Sequence, residues 1–158
     1  RGYPVRPVPG ACAAVTALSV SGLPTDRFLF EGFLPAKAVA REKRLQALVD
    51  APATLLFYEA PHRVVECLEA MNRVFGGERE AVLARELTKT FETLRRAPLA
   101  ELLAFVAADP DQRKGEIVLL LTRLAEELPA RRAAAVVAEI TGLRKKQLYD
   151  FLLTQRDA

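Results

Sequence analysis

Three short apolar runs, each ending in charged residues, constrain the fold of this chain most strongly. They are 28–30 before Glu31, 53–58 before Glu59, and 81–84 before Arg85 and Glu86. Runs of this length are typical of buried strands, and a buried strand that ends in charged side chains is a common source of cleft residues in α/β sheets. A single such run could also be a strand whose last residues are simply solvated. Three of them predict that the strands end at a shared edge of one sheet.

The segments around these runs predict an α/β domain over residues 1–122. Helices are predicted over 11–20, in the basic segment before Ala51-Pro52, over 64–75 and over 98–108. Strands are predicted over 28–33, 53–58, 81–86, 91–94 and 115–121. The run 53–58 is continuously apolar and is therefore expected to be central. Met71 lies on the apolar stripe of its helix and is predicted to be a core residue.

No strand signal follows residue 122, so residues 123–158 are predicted to form a small helical appendage. Two helices, 129–140 and 143–154, flank a tight turn at Thr141-Gly142, which is the outline of a helix-turn-helix. The second helix opens with Arg144, Lys145 and Lys146. Such a hairpin is compatible with nucleic-acid contact and equally with simple packing or dimer contacts.

The composition narrows the class of protein. With 51% hydrophobic and 27% charged residues the chain is not of the disordered type. No apolar run approaches the roughly 20 residues that span a bilayer and none reads as a signal peptide, so we expect a cytoplasmic protein. Two cysteines and one histidine are too few for a disulfide framework or a zinc site, so no metal is expected. A net charge of +3 with clustered basic residues favours a phosphate-rich partner, although paired basic residues are also ordinary on a solvated surface.

Six segments, in their order and spacing, point to a known family. They are 8–14 (VPGACAA), 22–28 (GLPTDRF), 31–35 (EGFLP), 57–63 (FYEAPHR), 84–89 (ARELTK) and 114–116 (KGE). Together they resemble the C-terminal portion of the ribosomal RNA small subunit methyltransferase I family, from about residue 4 to the end of the chain. Members of that family are 16S rRNA (cytidine-2′-O)-methyltransferases with the tetrapyrrole-methylase fold.

The resemblance implies a mixed sheet of about five strands flanked by helices, followed by a helix-turn-helix appendage. In that family two α/β halves hold S-adenosylmethionine between them, and the N-terminal half supplies a Gly-rich loop of the type G-T-P-x-I-S-D-P-G. This sequence contains no such loop, and its first residues, Arg1-Gly2-Tyr3-Pro4, include no initiator methionine. We therefore expect the chain to be the C-terminal part of a longer protein, with half of a cofactor site. The resemblance also implies a homodimer.

The site residues are carried over position by position. By resemblance, the cofactor pocket is lined, largely through backbone groups, by Pro9, Gly10, Ala11, Cys12, Ala13, Tyr58, Ala84, Gly115 and Glu116. Methyl transfer to a 2′-hydroxyl is an in-line displacement that orientation accelerates most, and a base or a cation that favours the alkoxide helps further. Glu86 and Lys89 are the first candidates for these roles, followed by Arg85 and Glu59. Arg85 and Glu86 are alternatively an ion pair that only holds the cleft.

An rRNA substrate within the small ribosomal subunit requires basic contacts to its phosphates. The candidates are Lys37, Arg41, Arg63, Arg95, Arg96, Arg144, Lys145 and Lys146. His62, the only histidine, follows Pro61 at a helix start. In that position it hydrogen-bonds locally or touches the RNA, and we do not expect it to be a general base.

Two other functions remain open from the sequence. One is methylation of a tetrapyrrole ring by a sibling of the same fold; the basic clusters argue against it, because a porphyrinoid substrate needs none. The other is a non-catalytic RNA-binding or dimerisation module. Binding of S-adenosylmethionine separates the module from the two enzymes, and a salt-sensitive affinity for RNA separates the rRNA enzyme from its sibling.

Overall fold

Five strands form one mixed sheet in the computed structural model, which describes residues 2–123. The strands are β1 (Phe28–Phe33), β2 (Thr54–Glu59), β3 (Glu80–Arg85), β4 (Thr93–Pro98) and β5 (Ile117–Leu121). Their order across the sheet is β1-β2-β5-β3-β4. The predicted α/β fold with a mixed sheet of about five strands is confirmed. The predicted helices 129–140 and 143–154 lie outside the described residues.

The last of these strands, β5, lies at the centre of the sheet and runs against both of its neighbours. β1 pairs with β2 in parallel, whereas β5 is antiparallel to β2 and to β3. β1, β2 and β3 therefore run in the same direction, and their carboxyl ends share one edge, as the apolar runs predict. Glu59, Ile117 and Arg85 align across this edge. The amino end of β5 thus lies between the carboxyl ends of β2 and β3.

Helices cover both faces of the sheet, which gives two apolar cores. The helices are α1 (Ala13–Val20), α2 (Ala38–Gln46), α3 (Val64–Phe75) and α4 (Leu99–Ala108). Because successive strand residues point to opposite faces, Phe57 and Leu119 pack with α2, α3 and α4, while Leu56 and Leu120 pack with α1. Met71 is fully buried in the first core, as predicted. Each such side chain stabilises the fold by roughly 1.5–3 kcal/mol.

The carboxyl end of α3 follows its sequence signal. α3 ends at Gly76, whose φ of 86° is in the left-handed range and whose N–H donates to the carbonyl of Asn72. A 3₁₀ turn, Pro61–Arg63, precedes α3, and a second one, Pro110–Arg113, follows α4. None of the helices within residues 2–123 is long and apolar enough to cross a membrane.

Two strands differ from their predicted places. β4 spans Thr93–Pro98 rather than 91–94, because Glu92 belongs to a turn in which its N–H donates to the carbonyl of Lys89 at 3.2 Å. β2 is an interior strand, but the central position that the sequence predicts for it belongs to β5. Continuous hydrophobicity shows burial on both faces, and it does not rank the interior strands.

Candidate active site

A cavity of about 320 Å³ opens at the edge where β3 ends and β5 begins. The amino end of α1, the loop after β3 and the first residues of β5 surround it. The lining residues are Ala11, Cys12, Ala13, Thr16, Ala84, Leu87, Thr88, Lys89, Glu116 and Val118. The fold therefore brings together three segments that are distant in the chain, and the sequence predicts site residues in each of them.

Five of the predicted cofactor-binding residues line the cavity, namely Ala11, Cys12, Ala13, Ala84 and Glu116. Pro9 and Gly10 lie in the exposed segment before α1. Tyr58 is not among the lining residues, but its hydroxyl accepts the N–H of Ala14 at 3.1 Å and so fixes the amino end of α1. Gly115 lies against the carboxylate of Glu86.

Four lining residues, Thr16, Leu87, Thr88 and Val118, are not among the sequence candidates. Thr16 follows Cys12 by one helical turn, and Val118 follows Glu116 by two positions along the chain. Helical and strand periodicity would have pointed to both once Cys12 and Glu116 were assigned. Leu87 and Thr88 belong to the family segment 84–89, and the conformation of the loop after β3 brings both to the cavity.

Glu86 extends the pairing of β3 with β5 by one residue. Its N–H donates to the carbonyl of Glu116 at 2.9 Å, and its carboxylate Oε1 accepts the N–H of Glu116 at 2.8 Å. Lys89 Nζ donates to the same Oε1 at 2.9 Å and to Glu116 Oε2 at 3.0 Å. The Glu116 N–H and the Lys89 ammonium lower the pKa of Glu86, and the two carboxylates raise the pKa of Lys89.

The loop after β3 has a fixed, strained backbone. Glu86 and Thr88 have φ values of 49° and 64°, in the left-handed region that non-glycine residues rarely adopt. Such a residue costs about 1–3 kcal/mol, and neighbouring contacts must offset this. Here the N–H of Lys89 donates to the carbonyl of Glu86 at 3.0 Å, and the N–H of Thr88 donates to the carboxylate of Glu92 at 2.6 Å.

Arg85 is buried and ties this loop to the sheet. Its guanidinium donates to the carbonyl of Phe91 at 2.9 Å, to Thr93 Oγ1 at 3.1 Å and to the carbonyl of Lys114 at 3.4 Å. These partners lie at the end of the loop and in the approach to β5. Arg85 and Glu86 therefore have separate partners, and Arg85 contacts the segments that frame the cavity.

Glu59 is buried on the face of the sheet that packs with α2, α3 and α4. Its carboxylate pairs with Arg63 Nε at 3.3 Å. Arg63 in turn donates to the carbonyl of Leu34 at 2.7 Å, and the buried Arg41 donates to the carbonyl of Ala36 at 3.4 Å. This group of side chains therefore holds the loop that follows β1.

The other basic candidates differ in their surroundings. Lys37 and His62 are exposed and follow the carboxyl ends of β1 and β2. Arg95 lies 4.3 Å above the ring of Phe105, and Arg96 donates to Glu80 at 2.7 Å, an arrangement that the edge position of β4 permits. The candidates Arg144, Lys145 and Lys146 lie outside the described residues. Contact with RNA stays a prediction for this whole set.

The two cysteines are in opposite environments. Cys12 is exposed at the cavity, and the backbone N–H groups of Val15 and Ala14 lower the pKa of its thiol. Cys67 is buried in the core beside Glu59, and burial strongly raises the pKa of its thiol. The thiol with the lowered pKa is therefore the one at the cavity.

A family model described as tetrapyrrole (corrin/porphyrin) methylases matches residues 1–103. The chain belongs to the tetrapyrrole methylase family. A second model, the RsmI C-terminal HTH domain, matches residues 113–156. The second match begins before β5, so it overlaps the end of the sheet as well as the predicted appendage.

Three relatives of this tetrapyrrole methylase carry the name ribosomal RNA small subunit methyltransferase I. The protein of Pseudomonas aeruginosa is 54% identical over 98% of this chain and 62% of its own length. Those of Vibrio cholerae and Escherichia coli O157:H7 are 52% and 48% identical, over 94% and 98% of this chain and 58% and 60% of their own lengths. The family resemblance of the six sequence segments is confirmed. The chain spans about 60% of the length of these curated relatives.

Solved structures of two methyltransferases share the fold. The methyltransferase CobJ matches with a TM-score of 0.55 and 21% identity, over 74% of this chain and 50% of CobJ. The cobalamin biosynthetic enzyme cobalt precorrin-4 methyltransferase, CbiF, matches with a TM-score of 0.56 and 13% identity, over 73% of this chain and 50% of CbiF. At these identities the likeness concerns the fold alone.

Proposed function

We propose that this chain is part of an enzyme that transfers a methyl group from S-adenosylmethionine to the 2′-hydroxyl of a cytidine in 16S rRNA. One observation carries the proposal: the 54% identity with the Pseudomonas aeruginosa relative extends over 98% of the chain. It therefore includes both the cavity and the region that matches the C-terminal HTH model. The cytidine and the ribose position rest on the family resemblance of the sequence segments.

The residues around the cavity fit part of S-adenosylmethionine. The volume of about 320 Å³ is at the lower end of the range for ligand sites, which runs from about 300 to 1,000 Å³. Ala11, Ala13 and Ala84 present only small side chains to the cavity, and the Glu116 carboxylate, which is paired with Lys89 and is 75% exposed, adds negative charge beside it. When bound, S-adenosylmethionine supplies a methyl group activated by a sulfonium. In this proposal the N-terminal half found in the family supplies the opposite wall.

We place Lys89 at the reaction centre, with Glu86, whose carboxylate pairs with its ammonium at 2.9 Å, as its partner. Lys89 is half exposed beside the cavity, and its ammonium can stabilise negative charge that develops on the ribose oxygen. Arg85 and Glu59 contribute through the loops that they hold. Orientation of the hydroxyl in line with the methyl group supplies the larger part of the acceleration.

For the RNA, we propose contacts from Lys37, His62, Arg95 and Arg96, and from Arg144, Lys145 and Lys146 in a helix-turn-helix-like appendage over 123–158. Arg41 and Arg63 belong to the same proposal but act indirectly, because their guanidinium groups hold the loop that ends at Lys37. A homodimer that works on the small ribosomal subunit in the cytoplasm completes the proposal.

A methyl-transfer assay on purified small ribosomal subunits tests this function. Radiolabelled S-adenosylmethionine is incubated with subunits from a strain that lacks the corresponding methyltransferase. The chain is compared with a version extended at its amino end by the N-terminal part of the Pseudomonas aeruginosa relative. We expect the extended protein to label 16S rRNA and to leave one cytidine whose 3′ linkage resists alkaline hydrolysis, because a 2′-O-methyl group blocks that cleavage.

Matched subunits from the parent strain, already methylated, are the control and should accept little label. Binding to the RNA should weaken steeply between about 50 and 200 mM salt, because phosphate contacts release counterions. Label on a base rather than a ribose, or none from either protein, would refute the assignment.

A further inference from the structure

Gly115 leaves space for the carboxylate of Glu86 at the corner that precedes β5. Gly115 has a φ of 80°, which side-chain-bearing residues rarely adopt. A Cβ atom at this position would overlap the carboxylate of Glu86. Glycine therefore permits the carboxylate to lie directly against the backbone of the corner.

In this position the carboxylate takes the place of a backbone carbonyl. The regular pairing of β3 with β5 ends at Arg85 and Ile117. One residue further, Glu86 donates its N–H to Glu116 and accepts the N–H of Glu116 through Oε1. This reciprocal pair fixes the backbone of Glu116, which lines the cavity.

The same carboxylate oxygen also holds Lys89. The side chain of Glu86 is 18% exposed, whereas those of Lys89 and Glu116 are 46% and 75% exposed. The ammonium is therefore the more accessible partner of the Glu86–Lys89 pair. We refer to Glu86 with its partners Gly115, Glu116 and Lys89 as the Glu86 lock.

A carboxylate in this setting is a weak base. The N–H of Glu116 and the ammonium of Lys89 lower its pKa. An efficient general base has a pKa near the working pH. The surroundings of Glu86 instead move its pKa further below the working pH.

We propose that Glu86 is a positioning residue: it fixes the corner at Gly115 and Glu116, holds the ammonium of Lys89 at the cavity, and does not accept the proton of the ribose hydroxyl. The inference rests on the proposed function for the part that concerns the hydroxyl. The Glu86 lock itself is a property of this chain, and it can be tested without any substrate.

The first test measures hydrogen exchange of the Glu116 amide by NMR in the chain itself. Glu86→Ala removes the acceptor, and exchange should accelerate by about tenfold or more. Glu86→Gln keeps an acceptor oxygen, so exchange should stay within about threefold of the parent. Gly115→Ala should behave like Glu86→Ala, because the new methyl group displaces the carboxylate. Glu42→Ala, which removes a carboxylate paired with Arg73 on the surface, is the matched control.

An unchanged Glu116 amide in Glu86→Ala would overturn the lock. A variant that fails to fold is recognised from the rest of its amide spectrum. If either Glu86→Ala or Gly115→Ala fails to fold, the other one decides whether the lock exists. No activity is needed for this test, so its result stands apart from that of the methyl-transfer assay.

The second test uses the extended, active protein and measures kcat against pH. As a positioning residue, Glu86 should tolerate glutamine with a loss of about five- to tenfold and an unchanged pH profile, whereas alanine should lose about 100-fold or more. If glutamine costs 100-fold or more and removes a limb of the pH profile while the Glu116 amide stays protected, Glu86 accepts the proton and the inference is wrong. If the unsubstituted protein transfers no methyl group, the proposed function fails and the exchange result alone upholds or overturns the lock.

Discussion

Replacing Arg85 with methionine should destabilise the domain strongly, because its guanidinium holds two segments to the end of β3. Arg85 is only 7% exposed and donates to Phe91, Thr93, Lys114 and, at 3.3 Å, to Gln112 Oε1. The two shorter bonds, at 2.9 and 3.1 Å, are of the charge-assisted type that contributes about 1.5–3 kcal/mol each. Methionine preserves the apolar stem and no longer buries a charge, which offsets part of the loss. The net loss should be about 2–4 kcal/mol.

Urea unfolding followed by circular dichroism measures this loss directly. Arg73→Met is the matched control: its ion pair with Glu42, at 2.7 Å, is exposed on both sides, so the change should stay within about 0.5 kcal/mol. If the two variants unfold within about 0.5 kcal/mol of each other, the hydrogen bonds of Arg85 contribute little, and the view that it frames the cavity through its loop is refuted.

Two further predictions concern titratable groups. Cys12 should be alkylated by iodoacetamide at neutral pH, whereas Cys67 should react only after unfolding in urea. The reason is that the pKa of the exposed Cys12 thiol is lowered and that of the buried Cys67 thiol is raised. Mass spectrometry that finds both cysteines labelled in the folded chain would contradict this prediction. The stability that Glu86 gains from its partners should be complete above the ordinary glutamate pKa of about 4.3 and should be lost as the pH falls below it, because the folded-state pKa is lower. The difference in urea stability between the parent and Glu86→Gln should therefore shrink on acidification, and a difference that is constant or grows would contradict the reasoning.

The shared edge of β1, β2 and β3 could be predicted because each apolar run in the sequence ends in charged residues. The charged residues at 31, 59 and 85–86 lie at or near the ends of the strands and are local in the sequence. They do not mark the end of burial: Glu59 and Arg85 are themselves buried, and the apolar run 28–30 of β1, expected to be a buried strand, is exposed. β4 was less accessible to prediction. Two adjacent arginines, Arg95 and Arg96, are unusual in a strand. They are accommodated in β4 because it is an edge strand, where Arg95 stacks on Phe105 and Arg96 pairs with Glu80.

The burial of charged residues could not be predicted from the sequence. Glu59, Arg41 and Arg63 look like ordinary solvated charges, yet Arg41 and Arg63 donate to backbone carbonyls of the loop after β1. The contact between Glu86 and Gly115 is of the same kind. In the sequence Gly115 indicates only a turn, and the need for glycine there comes from a carboxylate that the fold brings to it.

During synthesis, the central strand β5 is the last of the five strands to be made. Before β5 is complete, β1 with β2 and β3 with β4 are two separate pairs, each with an unpaired apolar edge where β5 will lie. At 5–20 residues per second, the ribosome needs about 3–12 s to proceed from the end of β2 to the end of β5. Unpaired edges of this kind recruit other strands, so the nascent chain is exposed to aggregation during this interval. The cavity, which needs β5 for one wall, forms only when that interval is over.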